Sequence, residues 1–135
     1  NWGFPHFKGS GVIINSRSET VYEKRMFRNS MLNRRCVIPS TGFFEWAHIG
    51  KTKKEKFLFN LANTNTLYMA GLYNNYDGID KFVILTTAAN DSMEQYHNRM
   101  PVILDKSEIE GYIGNDTTAG EIINRVPPML VNRKV

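Results

Sequence analysis

The feature that most restricts this chain is a succession of short aromatic and β-branched segments: Phe43-Phe44-Glu45-Trp46, Phe57 to Leu61, Leu67 to Tyr73 and Lys81 to Ala88. Successive side chains of a strand point to opposite faces, so segments of this length and composition suit a pleated, half-buried sheet. Ser40-Thr41-Gly42 turns into the first of them, and Asn74-Asn75-Tyr76-Asp77-Gly78 joins the last two in what reads as an antiparallel hairpin. Lys51-Thr52-Lys53-Lys54-Glu55-Lys56, set between two aromatic strands, is expected to be a solvated hairpin tip, with DNA contact as the competing role.

Around this centre the reading is less regular. A strand is expected at Trp2 to Phe4 and a buried one at Val12-Ile13-Ile14, which follows Gly9-Ser10-Gly11 and delivers Asn15 to its end. Ser16 stands three residues ahead of Glu19, the spacing of a capping box, so a helix is predicted from near Arg17 to about Leu32. Cys36 to Pro39 reads as a further strand, and Ser107 to Ile113 and Ala119 to Asn124 as two short helices before Pro127-Pro128. The fold class is α+β with strands dominating, in one domain over residues 1–135.

Length supports one core: 135 residues fall within the usual size of a single domain, and 41% apolar with 22% charged residues is ordinary for a folded protein. Apolar runs such as Phe82 to Leu85 fall far short of the roughly 18 residues a membrane helix needs. The opening Asn1-Trp2-Gly3-Phe4-Pro5 has no basic segment followed by a long apolar one, so a cytoplasmic location is expected. It also lacks an initiator methionine and begins within a strand pattern, so the chain is expected to lack an N-terminal segment. A single cysteine and three histidines supply neither a disulfide nor a zinc cage; no metal and no small-molecule cofactor are expected. A formal charge of +4 favours an anionic partner.

Several residues have the chemistry for a site. Asn15 and Arg17 bracket the predicted helix start, where free backbone N–H groups attract an anion; the plain alternative is a turn cap beside a surface charge, and the capping box accounts for Glu19. Glu45 shares a strand face with Phe43 and is flanked by Phe44 and Trp46, where loss of water would raise its pKa and suit it to acid–base work. In Tyr96-His97-Asn98-Arg99-Met100-Pro101, His97 and Arg99 are two apart and extended by the proline, so a titrating imidazole and an anion-gripping guanidinium project together. Trp2 and Phe7 offer stacking faces for bases, core packing being the default for Trp2. Cys36 has the surroundings of a core thiol; a hydrolase using it with His97 would require an exposed thiol of lowered pKa.

Five blocks in order, Trp2-Gly3-Phe4-Pro5, Asn15 to Thr20, Arg35 to Trp46, Thr86 to Asn90 and His97 to Leu104, resemble the SOS-response-associated peptidase (SRAP) family over nearly the whole chain. The resemblance implies a barrel-like core of mostly antiparallel strands with a few peripheral helices. It implies a DNA-repair protein that senses abasic sites in single-stranded DNA and acts as a monomer. In that family a cysteine exposed by self-removal of the initiator methionine, the peptidase or hydrolase activity of the name, forms a thiazolidine DNA–protein crosslink by lyase-like chemistry. That cysteine is absent from this chain. By match to the motifs, Asn15 orients the linkage, Glu45 relays protons, His97 assists sugar opening and imine formation, and Arg17 and Arg99 hold flanking phosphates. The rival reading is a non-catalytic module that binds single-stranded nucleic acid.

Overall fold

The computed structural model describes residues 1–135. In chain order the elements are β1 (Phe4–Pro5), β2 (Val12–Ile13), β3 (Asn15–Arg17), a 3-10 turn (Ser18–Thr20), α1 (Arg28–Asn33), β4 (Arg35–Ser40), β5 (Phe43–Ile49) and β6 (Lys53–Asn60). They continue with β7 (Leu67–Tyr76), β8 (Ile79–Ala88), β9 (Arg99–Pro101), β10 (Ile103–Leu104), a second 3-10 turn (Lys106–Glu108), α2 (Ile109–Gly114), α3 (Asp116–Ile123) and β11 (Val131–Lys134). The class is α+β, and most strand pairings are antiparallel.

Strands β7 and β8 form the spine and change partners along their length. The first half of β7 pairs with β4, Arg35 opposite Leu72 through Ser40 opposite Leu67, while its second half pairs with β8. Strand β8 in turn takes β3 in parallel, Asn15 beside Ile84 and Arg17 beside Thr86, and β9 antiparallel beyond it. Exchanging neighbours in this way curls the six-stranded sheet into a half-barrel. Tyr76-Asp77-Gly78-Ile79 closes the β7–β8 hairpin, with φ of 53° at Asp77 and 82° at Gly78, the left-handed pair that matches the twist of the strands. The strands therefore run through Asn74 to Tyr76, which the sequence assigns to the turn.

Alternation along the spine creates two cores. Ala70, Leu72, Val83 and Leu85 face α1, α2 and α3, joined by Phe4, Met31, Tyr112 and Ile122. On the other side, Leu67, Met69 and Ile84 meet Phe59, Met93, Met100, Ile103 and Leu130, beneath a second sheet ordered β11-β6-β5. Gly71 lies between Ile38 and Val83: a Cβ there would stand 2.3 Å from the Ile38 Cδ1 and 2.9 Å from the Val83 carbonyl oxygen. Arg35, its side chain 4% exposed, points into the helical side and donates to the carbonyls of Met31, Tyr112 and Ile113.

Two sequence expectations fail here. Only a single 3-10 turn follows Arg17, its cap making no side-chain hydrogen bond, and the α-helix is confined to Arg28–Asn33. The Glu19 side chain is held chiefly by a distant arginine. The segment Val12 to Ile14 is not a buried strand: Val12 and Ile14 are exposed and Ile13 alone packs inward, because this short ribbon covers the core with one face only. The lysine-rich stretch is also divided. Gly50, Lys51 and Thr52 form the tip, whereas Lys53 to Lys56 belong to β6, with the Lys56 Nζ 4.0 Å above the Phe44 ring.

Candidate active site

Where the three-stranded sheet stops short of the half-barrel, a cavity of about 700 Å³ opens. Its floor is Ile38, Met69, Phe82, Ile84 and Met100; its walls include Asn15, Phe43, Glu45, Thr86, His97 and Arg99, with Trp2 at the rim. Residues far apart in sequence meet because β3, β5 and β9 approach it from three directions.

Parallel pairing with β8 puts Asn15 beside Ile84 and Arg17 beside Thr86, on one face of β3, while Ser16 between them is buried; Asn15 lines the cavity and Arg17 lies outside its lining. Glu45 follows from the same rule on β5: Phe44 and Trp46 point outward, and Glu45 shares the inward face with Phe43. Its side chain keeps 28% of its exposure, so the carboxylate is enclosed by aromatics yet still in contact with water. Gly42 ahead of it is required by close approach, since a Cβ there would lie 2.7 Å from the Phe59 carbonyl oxygen.

His97 is carried on a loop pinned at its root. The buried Asn90 amide donates to the carbonyls of Pro127 and Pro128 at 2.9 Å each and accepts from the Ser92 hydroxyl at 2.6 Å. Tyr96 packs on Phe57 and Phe59, with centroids 4.8 and 5.2 Å away. The Arg99 backbone N–H donates to His97 Nδ1 at 3.1 Å. When Nδ1 accepts this bond the neutral ring carries its proton on Nε2, which lies 3.9 Å from the Glu45 carboxylate. That separation admits one bridging water or substrate oxygen. The Arg99 carbonyl oxygen, 3.2 Å from Nδ1, accepts whenever Nδ1 carries a proton.

The two arginines differ. Arg17 is 68% exposed, with its Nε 3.8 Å from Glu19. The Arg99 guanidinium is held within the protein: two 2.8 Å bonds join it to Glu19, and it also donates to the Thr86 carbonyl at 2.9 Å. This pair holds the Glu19 carboxyl below its ordinary range. Trp2 is 52% exposed, stacked parallel on Phe82 with centroids 6.2 Å apart, so it is a rim residue and not the core residue that default packing suggests. Phe7 lies outside the cavity lining, 75% exposed near the tip of the β1–β2 ribbon beside His6. Sequence reasoning missed the role of Glu19 and the cavity floor; the spacing of Glu19 from Ser16 pointed to a local cap, and nothing local signals an ion pair across 80 residues.

Cys36 takes no part in this cavity. It borders a separate shallow depression with Tyr73, Asp80 and Phe82, and burial pushes its thiol up to about 11. Burial therefore removes the thiolate that a Cys36–His97 hydrolase requires.

The curled sheet and the hairpin lying over it define an α+β fold shared by solved structures. A crystal structure of a protein from Bacteroides thetaiotaomicron matches with a TM-score of 0.80 and 28% identity, over 90% of this chain and 57% of that one. The family described as SOS response associated peptidase (SRAP) matches residues 1–132, and the chain belongs to it. Abasic site processing protein YoqW of Bacillus subtilis is 39% identical over 104 residues, 73% of this chain and 46% of its own length. Abasic site processing protein YedK of Escherichia coli is 27% identical over 125 residues, 89% of this chain and 56% of its own length. The chain thus spans about half the length of these relatives.

Proposed function

We propose that this chain forms the sugar-binding cavity of a protein that captures abasic sites in single-stranded DNA. The observation that carries the reading is the convergence of Asn15, Glu45 and His97, from three separate elements, on one cavity wide enough for an unstacked sugar. The names of the relatives, as abasic site processing proteins, support the substrate.

In the proposed reaction the abasic sugar opens to its aldehyde, and the α-amine of an N-terminal cysteine outside these residues adds to it. Loss of water gives a Schiff base; the thiol sulfur then adds to the imine carbon and its proton passes to nitrogen, closing a thiazolidine. An α-amine with a pKa of about 7.7–8.0 is partly neutral at physiological pH, whereas a lysine near about 10.4 is not. His97 Nε2–H is suited to protonating the departing ring oxygen and Glu45, 3.9 Å from it, to moving protons at the amine, with the sugar carbon resting against both groups and not between them. Asn15 supplies an amide to orient the linkage. Arg17 holds a flanking phosphate, and Trp2 gives a neighbouring base a stacking face. Self-removal of an initiator methionine, with Glu45 as the participating carboxylate, belongs to the same reading.

The test uses the full-length protein and a single-stranded oligonucleotide bearing one abasic site. A covalent band on denaturing gels is expected, lost on replacing the N-terminal cysteine by alanine and slowed by Glu45→Ala and His97→Ala. No band, with intact single strands still bound, would establish instead a non-catalytic binding module.

A further inference from the structure

We propose that Glu19 is a positioning residue for His97, acting through Arg99; the inference rests on the role given to His97 above. The chain of contacts is continuous. Glu19, on the 3-10 turn after β3, holds the Arg99 guanidinium with two bonds of 2.8 Å. The same guanidinium donates to the Thr86 carbonyl at 2.9 Å, so Arg99 is fixed from both sides. Its backbone N–H then meets His97 Nδ1 at 3.1 Å, which sets the tautomer that directs Nε2–H toward Glu45.

Counting donors shows why Arg99 serves this tether better than it serves as a free clamp. A guanidinium has five N–H groups. One on Nη1 and both on Nη2 are taken by Glu19 and Thr86, and Nε is buried with no partner. The one remaining Nη1 hydrogen is too little for the paired grip that arginine makes on a phosphate. Arg17 is the more exposed of the two, with its Nε 3.8 Å from the same carboxylate. The β9 strand is only three residues long and ends in a proline, so its own ladder fixes Arg99 weakly and the ion pair supplies the constraint.

The ring has Glu45 on one side and the Arg99 backbone on the other. Losing the tether lets Nδ1 exchange its partner, so a second neutral tautomer becomes populated.

Nitrogen-15 spectra of the neutral histidine side chains, recorded without DNA, test this. Native protein is expected to show His97 as a single Nε2–H tautomer. Glu19→Gln, nearly isosteric, should show mixed tautomers, whereas Glu121→Gln on α3 should match the native protein. Arg99→Lys keeps the charge but not the two-bond geometry, so it should mix tautomers as well. A single native tautomer in both Glu19→Gln and Arg99→Lys overturns the proposal. Abasic-site capture is read separately: a protein with His97 held as described that forms no covalent product overturns the function reading and leaves the positioning role standing.

Discussion

Replacing Arg35 by alanine tests whether one buried cation holds the helical layer to the sheet. Its guanidinium donates to the carbonyls of Tyr112 at 2.5 Å, Met31 at 2.7 Å and Ile113 at 3.1 Å. These are carbonyls near the ends of α1 and α2, which have no acceptor role left within their own helices. Hydrogen bonds from a charged donor contribute about 1.5–3 kcal/mol each. Three of them sum to more than is realised, because bonds sharing one side chain are not additive and the charge pays a desolvation cost. The fourth contact, to Asp116 at 2.9 Å, adds little because Asp116 is 72% exposed. The expected loss for Arg35→Ala is about 3–5 kcal/mol, a large share of the about 5–15 kcal/mol that stabilises a typical domain. Urea unfolding followed by circular dichroism measures it, with Asp116→Ala as a control expected below about 1 kcal/mol. Arg35→Met, which keeps most of the volume and none of the donors, decides the cause. Native-like stability in that variant would refute the carbonyl-pairing argument and assign the effect to packing.

Other outcomes are expected from the same geometry. Gly71→Ala should lose about 1–3 kcal/mol in the same assay, because its Cβ meets Ile38 and the Val83 carbonyl under the cavity floor. Cys36, with its thiol raised to about 11, should react with iodoacetamide at neutral pH far more slowly than a free thiol and faster as pH climbs; rapid neutral alkylation would contradict its burial. The Glu19 carboxyl is lowered chiefly by its bond to Arg99, so the stability it contributes is complete above the unfolded carboxylate value of 4.5. That contribution is lost as pH falls through the lower folded value, and Glu19→Gln should flatten the acid limb of the stability profile below 4.5. An unchanged acid limb would mean that the pair does not stabilise the fold.

The sequence by itself determined the longer central strands, their alternation and the choice of candidate residues, but not the short strands β3, β9, β10 and β11. Phe43 to Trp46 reads inward and outward as period two requires, and the Asp77-Gly78 pair specifies a tight hairpin, because these are local properties of adjacent residues. The Asn15, Glu45 and His97 trio was legible through resemblance to the SRAP blocks, and their types fit acid–base work. Tertiary structure decided what local rules misjudged. Ser16 and Glu19 have the spacing of a helix cap, yet a carboxylate gains more from a guanidinium with two matched donors than from one backbone N–H, and Arg99 is brought there only by the curled sheet. Val12 and Ile14 have strand-forming side chains, but whether such a strand is buried depends on what covers it, which their own sequence does not encode. The cavity likewise exists only because β5 and β6 leave part of the half-barrel uncovered, an outcome of how two sheets meet and not of any single segment.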